Sequence, residues 1–445
     1  MIALGAPLAL AELGWMAMGV VDTIMAGPLG AGAVGAGSLG NMLFYPIATW
    51  GVGVLLGMDT LVSQSFGAED LPDCRRTLVN GVWLALGVAP LLALVVWGVV
   101  PLLGAAGTNP HVLLLLAPYL KALIPSVLPL LLFTAFRRYI QAVDLVKPVT
   151  FALVSANLVN LAGDWVLMYG HWGAPAMGLA GSGWSTTIAR AYMAAVLLAA
   201  IVWHERQSGN RFFHTAWRPD FVRLRRLIGL GVPAAAQFGL EGAVFGIVSV
   251  LAARLDEASL AAHGIAVQVI ATTYMVPLGI SSAAAVRVGQ AVGRKDPRGV
   301  VASGWAALLL SSLFMGAAGL ALWTVPRSIV GMFIGDAAVI RTGAVLVRIA
   351  AFLELFDGVQ VVTTGALRGL GDTRTPMLAH FAGYWLVGLP VSYVLCFRYG
   401  WGAAGIWFGL TAALILMKRR DQCGADRPAR YLRRLALGTH NAHLD

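Results

Sequence analysis

The sequence predicts an all-α, polytopic membrane protein of about twelve transmembrane helices in two pseudo-symmetric six-helix lobes. Three observations predict it. The 445 residues are 58% hydrophobic and 12% charged, with mean hydropathy +0.78, whereas soluble domains carry about 25% charge. Apolar runs of span length recur between short polar breaks, and the alternation over about ten residues that marks a membrane barrel is absent. Finally, the chain repeats itself. Gly5-x-Pro7 returns as Gly231-x-Pro233, and Gln64, Gly67 and Asp70 return as Gln290, Gly293 and Asp296, every pair 226 positions apart (231 − 5, 290 − 64).

The apolar runs place spans near 4–26, 37–64, 78–104, 112–136, 148–170 and 177–203, then 227–253, 260–287, 300–324, 342–366, 377–398 and 402–417. Gly27-Pro28 stops the first, and Arg75-Arg76 separates the second from the third. Arg137, Arg138 and Lys147 mark the break before the fifth. The polar stretch 204–226 divides six spans from six, so the chain reads as an N-lobe (1–203), a cytoplasmic linker (204–226), a C-lobe (227–417) and a basic tail (418–445) opening at Lys418-Arg419-Arg420. In the second half Arg254, Arg294-Lys295-Arg298, Arg327 with Arg341, Arg368 with Arg374, and Arg398 mark successive breaks. A weaker echo pairs Thr134, Arg138 and Pro148 with Thr364, Arg368 and Pro376. An even number of spans per half makes the repeats parallel, related by an axis along the membrane normal, with a cavity expected between them.

The net charge of +10 could suit nucleic acid, but the basic residues concentrate in alternate loops and the tail. That asymmetry sets membrane orientation and puts both termini in the cytoplasm. Cys74, Cys396 and Cys423 have neither metal nor disulfide spacing. Met1 stands almost on the first span, which outlasts a signal peptide and lacks a basic leader, so no cleavable signal is expected. No GxxxxGK[ST] phosphate loop and no hydrolase elbow occur, so neither an ATP motor nor an enzyme is expected. Energy must then come from an ion gradient or from a partner.

The chemistry lies in acids inside apolar runs: Glu12, Asp22, Asp164, Glu241, Glu354 and Asp357, with Asp59 nearer a span end. Each costs about 2.5–3.5 kcal/mol at a helix centre, which function, water or a partner must offset. Asn160 and Asp164 share a helix face at four residues' spacing and can hold a proton network or a hard cation such as sodium. The bland alternative is a polar pair locking two helices. Glu354 and Asp357 share a face, and desolvation and mutual repulsion favour a shared proton between them; the alternative is that Glu354 reaches water or Arg348. Glu241 lies between Gly239 and Gly242 with no local partner. The bland reading of Asp22 is a polar turn at the interface. Glu12 is expected to snorkel, Asp59 to be structural, and His263 to be a satisfied core histidine.

VDTIMAG (21–27), LVSQSFGAED (61–70), AAAVRVGQAVGRKD (283–296) and ALRGLGDTRTPM (366–377) together resemble the multidrug and toxic compound extrusion (MATE) family, in its NorM-like branch. The resemblance spans about residues 4–417 and implies two six-helix lobes opening alternately to either side. It implies antiport, an organic cation leaving as a proton or sodium ion enters, with no cofactor. Residue by residue, it assigns ion or substrate binding to Asp22, Asn160, Asp164 and Thr186 in the first lobe and to Glu241 and Asp357 in the second. Glu354 joins them on the helical reading above. Sodium, if it is the coupling ion, would sit at Asp22, Asn160 and Asp164 or at Glu241 and Asp357. Glu12 departs from the family's neutral amide, and the residues before the first helix are nearly absent. Phe44, Tyr45, Tyr274, Phe356 and Trp385 are candidate cation–π contacts. The expected partners are cationic drugs and dyes and the lipid bilayer, with no nucleic acid; the expected state is a monomer in the bacterial inner membrane. The rivals are a lipid-linked saccharide flippase, which would need an arginine-lined cavity, and a membrane-embedded enzyme.

Overall fold

In the computed structural model, residues 1–105, 110–207 and 217–415 are described. Part of the 204–226 stretch, the whole 418–445 tail and Cys423 lie outside them. Twelve long helices follow in order: α1 (Leu4–Leu29), α2 (Gly32–Gly67), α3 (Leu71–Ala105), α4 (Val112–Ala142), α5 (Lys147–Tyr169), α6 (Leu179–Gln207), α7 (Phe221–Ala253), α8 (Glu257–Gly293), α9 (Pro297–Thr324), α10 (Ala337–Leu370), α11 (Arg374–Arg398) and α12 (Gly402–Ile415). No strand occurs among the described residues. Ten of the twelve are long and apolar enough to cross a membrane. The others are α10, 34 residues carrying Arg341, Arg348, Glu354, Asp357 and Arg368, and the shorter α12.

The internal repeat is visible atom by atom. After α2, Glu69 (φ 60°) turns the chain left-handed, the Asp70 amide donates to the Ser65 carbonyl (2.9 Å), and the Asp70 carboxylate accepts from the Asp73 amide (2.9 Å). After α8, Lys295 (φ 56°) makes the same turn, the Asp296 amide donates to Ala291 (2.9 Å), and its carboxylate caps α9 through the Gly299 amide (2.9 Å). The repeated aspartates are thus helix N-caps. Asp256 caps α8 likewise, and the Ser259 amide holds its carboxyl below the ordinary range.

The chain forms two compact units, one of Leu10–Ala235 (the N-unit) and one of Met1–Ala9 with the residues from Ala236 onward (the C-unit). The N-unit is built from α2 to α6, most of α1 and the first half of α7. Small residues let α7 press on α2: Cβ atoms added at Gly53 and Gly57 would lie 2.5 Å from Ala235 Cα and 2.6 Å from the Leu227 carbonyl. In the C-unit, Gly279 of α8 meets the start of α1 in the same way, 2.5 Å from the Ala9 amide nitrogen. The most severe approach is at Gly231, where a Cβ would lie 1.8 Å from the Val54 carbonyl oxygen. Gly231→Ala is expected to destabilise the protein by about 1–3 kcal/mol through overpacking. Gly229→Ala, which meets nothing within 4 Å, should leave thermal unfolding in detergent unchanged; equal melting of both variants would refute this packing account.

Charges at the helix ends are more deeply built in than the sequence suggests. Arg137 and Arg138 are not loop residues; they lie buried in the last turns of α4. Glu12 does not snorkel: it is buried and paired with Arg137. Asp59 faces Arg138 at 3.5 Å, and Glu205 forms an ion pair with Arg75 (2.9 Å) and accepts from the Tyr139 hydroxyl (2.9 Å). The reason is geometric. The helices continue past the apolar runs, so charges at their ends meet neighbouring helices before they reach water. Arg223, paired with Asp73, and the Asp220 amide, donating to Asn80 (2.8 Å), tie the start of α7 to α3.

Candidate ion and substrate sites

In the N-unit, Asp22 on α1, Asn160 and Asp164 on α5 and Thr186 on α6 come together. Thr186 donates to Asp22 (3.3 Å), and the Asn160 amide donates to the Ser185 hydroxyl (3.2 Å), which itself donates back to the Asn160 carbonyl (2.6 Å). Gly163 permits this closeness: a Cβ there would fall 2.5 Å from Ser185 Oγ. Asp22, Ser182, Asn41 and Tyr119 line one narrow cleft. Both carboxylate oxygens of Asp164, one of Asp22 and the Asn160 amide oxygen are buried with no hydrogen-bond partner. Buried oxygens left this way are costly unless something absent from the structure satisfies them. The donor set is all oxygen, which fits a proton or a hard cation.

In the C-unit, Glu241 on α7 and Asp357 on α10 lie close enough to couple electrostatically. Glu354 is fully buried and accepts from Thr273 on α8, leaving its second oxygen without a partner. It reaches neither water nor Arg348. His380 on α11 was not visible among the sequence candidates. Its Nδ1 meets the Pro376 carbonyl (2.8 Å), and its Nε2 faces Gln360, Gln237 (3.3 Å) and Glu241 (3.9 Å). Arg190 on α6 was also missed; it donates to Ser126 (2.6 Å) and lies 4.9 Å over the Phe44 ring. Both are ionisable groups within apolar spans, and the same cost argument that singled out the acids could have found them.

The aromatic candidates scatter. Phe44 is buried under Arg190, Tyr45 is exposed, Trp385 donates to the Leu240 carbonyl (3.3 Å), and Phe356 lines an outer groove of the C-unit. Tyr274 is half-buried beside Glu241 and Asp357. His263 is a core histidine, held by Ser249 (3.0 Å) and Trp407 (3.2 Å).

Twelve helices in two repeated bundles, each sheltering its own acids, define a polytopic membrane protein of the transporter class. The MatE family model matches residues 7–166 and 233–394, two segments that begin at the spacing of the internal repeat. The chain belongs to the MatE family. It is 35% identical to a probable multidrug resistance protein NorM of Mesorhizobium japonicum, over 95% of this chain and 93% of that one. It is 36% identical to the corresponding protein of Bradyrhizobium diazoefficiens, over 92% and 88%. Its fold matches the eukaryotic MATE transporter AtDTX14 with TM-score 0.86 at 18% identity, covering 98% of each chain. A MATE structure in the bent conformation matches with TM-score 0.89 at 14% identity, over 98% of this chain and 96% of that one.

Proposed function

We propose that this protein is a secondary active multidrug exporter, moving lipophilic organic cations out of the cell in exchange for protons or sodium by alternating access. The observation that carries the reading is the set of buried, unpartnered oxygens on Asp22, Asn160 and Asp164. Proton or sodium binding neutralises these carboxylates and those of Glu241, Glu354 and Asp357, which weakens their hold on a bound cation. Loss of the ion restores the negative charge and the attraction. The two ligands compete for one charge, so their coupling is reciprocal. The lobes of this reading are 1–203 and 227–417, joined by a cytoplasmic linker at 204–226 and followed by a basic tail at 418–445. The chain works as a monomer in the bacterial inner membrane, with both termini in the cytoplasm, as its basic loops favour.

The test is ethidium efflux from proteoliposomes under an imposed proton gradient and, separately, an imposed sodium gradient. One gradient is expected to drive efflux and the other to have little effect. Glu241→Gln and Asp357→Asn should each lower the gradient-driven rate at least tenfold, about 1.4 kcal/mol or more of lost coupling. Efflux that ignores both gradients, or that survives in the double variant, would overturn the reading.

A further inference from the structure

On the flank of the C-unit a cavity of about 760 Å³ opens between α9, α10 and α12, walled by Trp323, Phe352, Phe356, Phe408 and Ile415, with Arg348 as its one charged lining residue. Arg348 is exposed and makes no ion pair or hydrogen bond among the described residues. The acid nearest to it in sequence, Glu354, is engaged by Thr273 instead. Arg348 and Asp357 are nine residues apart, two and a half helical turns, so they project from opposite faces of α10. The groove is therefore separate from the acidic site.

The groove has a polar end and an apolar end. Trp323, one residue from the end of α9, packs edge-to-face on Phe352 (5.2 Å), and Trp401, just before α12, packs on Phe408 (5.7 Å). Tryptophans at helix ends mark the membrane interface. Phe356 and Ile415 lie further along α10 and α12, deeper in the hydrocarbon. A guanidinium near the interface is within reach of headgroup phosphates, and guanidinium binds phosphate with bidentate geometry. An organic cation would be repelled by the same charge.

We infer that this groove binds one anionic phospholipid, its phosphate on Arg348 and an acyl chain along Phe352, Phe356 and Phe408. The leaflet is the one opposite the basic loops. The lipid ties α9, α10 and α12 together on the side of α10 that faces away from the acids.

The experiment is native mass spectrometry of delipidated protein titrated with phosphatidylglycerol, in parallel with phosphatidylcholine and with glycerol 3-phosphate. One phosphatidylglycerol is expected to bind tightly, at least tenfold more weakly to Arg348→Gln, with recovery in Arg348→Lys. Ala412→Phe, which fills the groove and keeps the arginine, should weaken it as well, so the inference stays testable if the glutamine variant folds poorly. Added phosphatidylglycerol should raise the melting temperature of the unaltered protein and not of Arg348→Gln. Equal binding of phosphatidylglycerol by all variants, equal affinity for phosphatidylcholine, or displacement of the lipid by glycerol 3-phosphate alone would each overturn it.

Discussion

Asp164→Asn is expected to reduce gradient-driven efflux of an organic cation at least tenfold, to near background, while leaving the protein folded. The substitution keeps the shape of the side chain. It removes the charge that an ion and a cationic substrate would compete for. Asp164 is fully buried on α5, beside Asp22 and Asn160, and neither of its carboxylate oxygens has a hydrogen-bond partner. An amide there cannot take up and release a proton and is a poorer sodium ligand than a carboxylate. Folding should not suffer, because burying a neutral amide costs less than burying a charge. Efflux and thermal stability measured on the same preparation separate the two effects. A normal rate with normal stability would remove Asp164 from the transport cycle; a collapse of both would make it a structural lock between α5 and α6.

Arg137→Met is expected to destabilise the N-unit by about 3–5 kcal/mol, the usual cost of stranding one member of a buried ion pair. Arg137 lies on α4 and Glu12 on α1, and both are buried where they meet. Without the guanidinium, Glu12 keeps its desolvation penalty and loses the charge that offsets it. Adding Glu12→Gln to Arg137→Met should recover most of the loss, because replacing a whole buried pair by neutral groups is often close to neutral. Thermal unfolding of both single variants and the double in detergent measures the coupling. Additive losses would mean that the pair does not act as a unit.

These two residues mark where sequence reasoning succeeds and where it stops. Asp164 could be singled out because Asn160 stands four residues before it, and helical periodicity alone puts both on one face. The repeated Gln64-Gly67-Asp70 and Gln290-Gly293-Asp296 were equally legible, since the turn they build is local and its hydrogen bonds close within a few residues. Arg137 was misplaced in a loop and Glu12 was expected to reach water, because each finds its partner 125 positions away. The contacts of His380 were hidden for the same reason. Gln237 and Glu241, which face it, are on a helix 143 positions earlier for the glutamine, and only the packing of α7 on α11 brings them together.

The sequence by itself determined the number of helices, their duplication and the presence of acids in the membrane, since hydropathy, repeat spacing and turn chemistry act along the chain. Tertiary structure alone decided which charges neutralise one another and which stay unpaired. Glu12 is matched to an arginine, whereas both oxygens of Asp164 and one each of Asp22 and Glu354 have no hydrogen-bond partner. A buried carboxylate has the same sequence signature in either case. What it does depends on the few ångströms that separate it from residues the chain reaches only after folding.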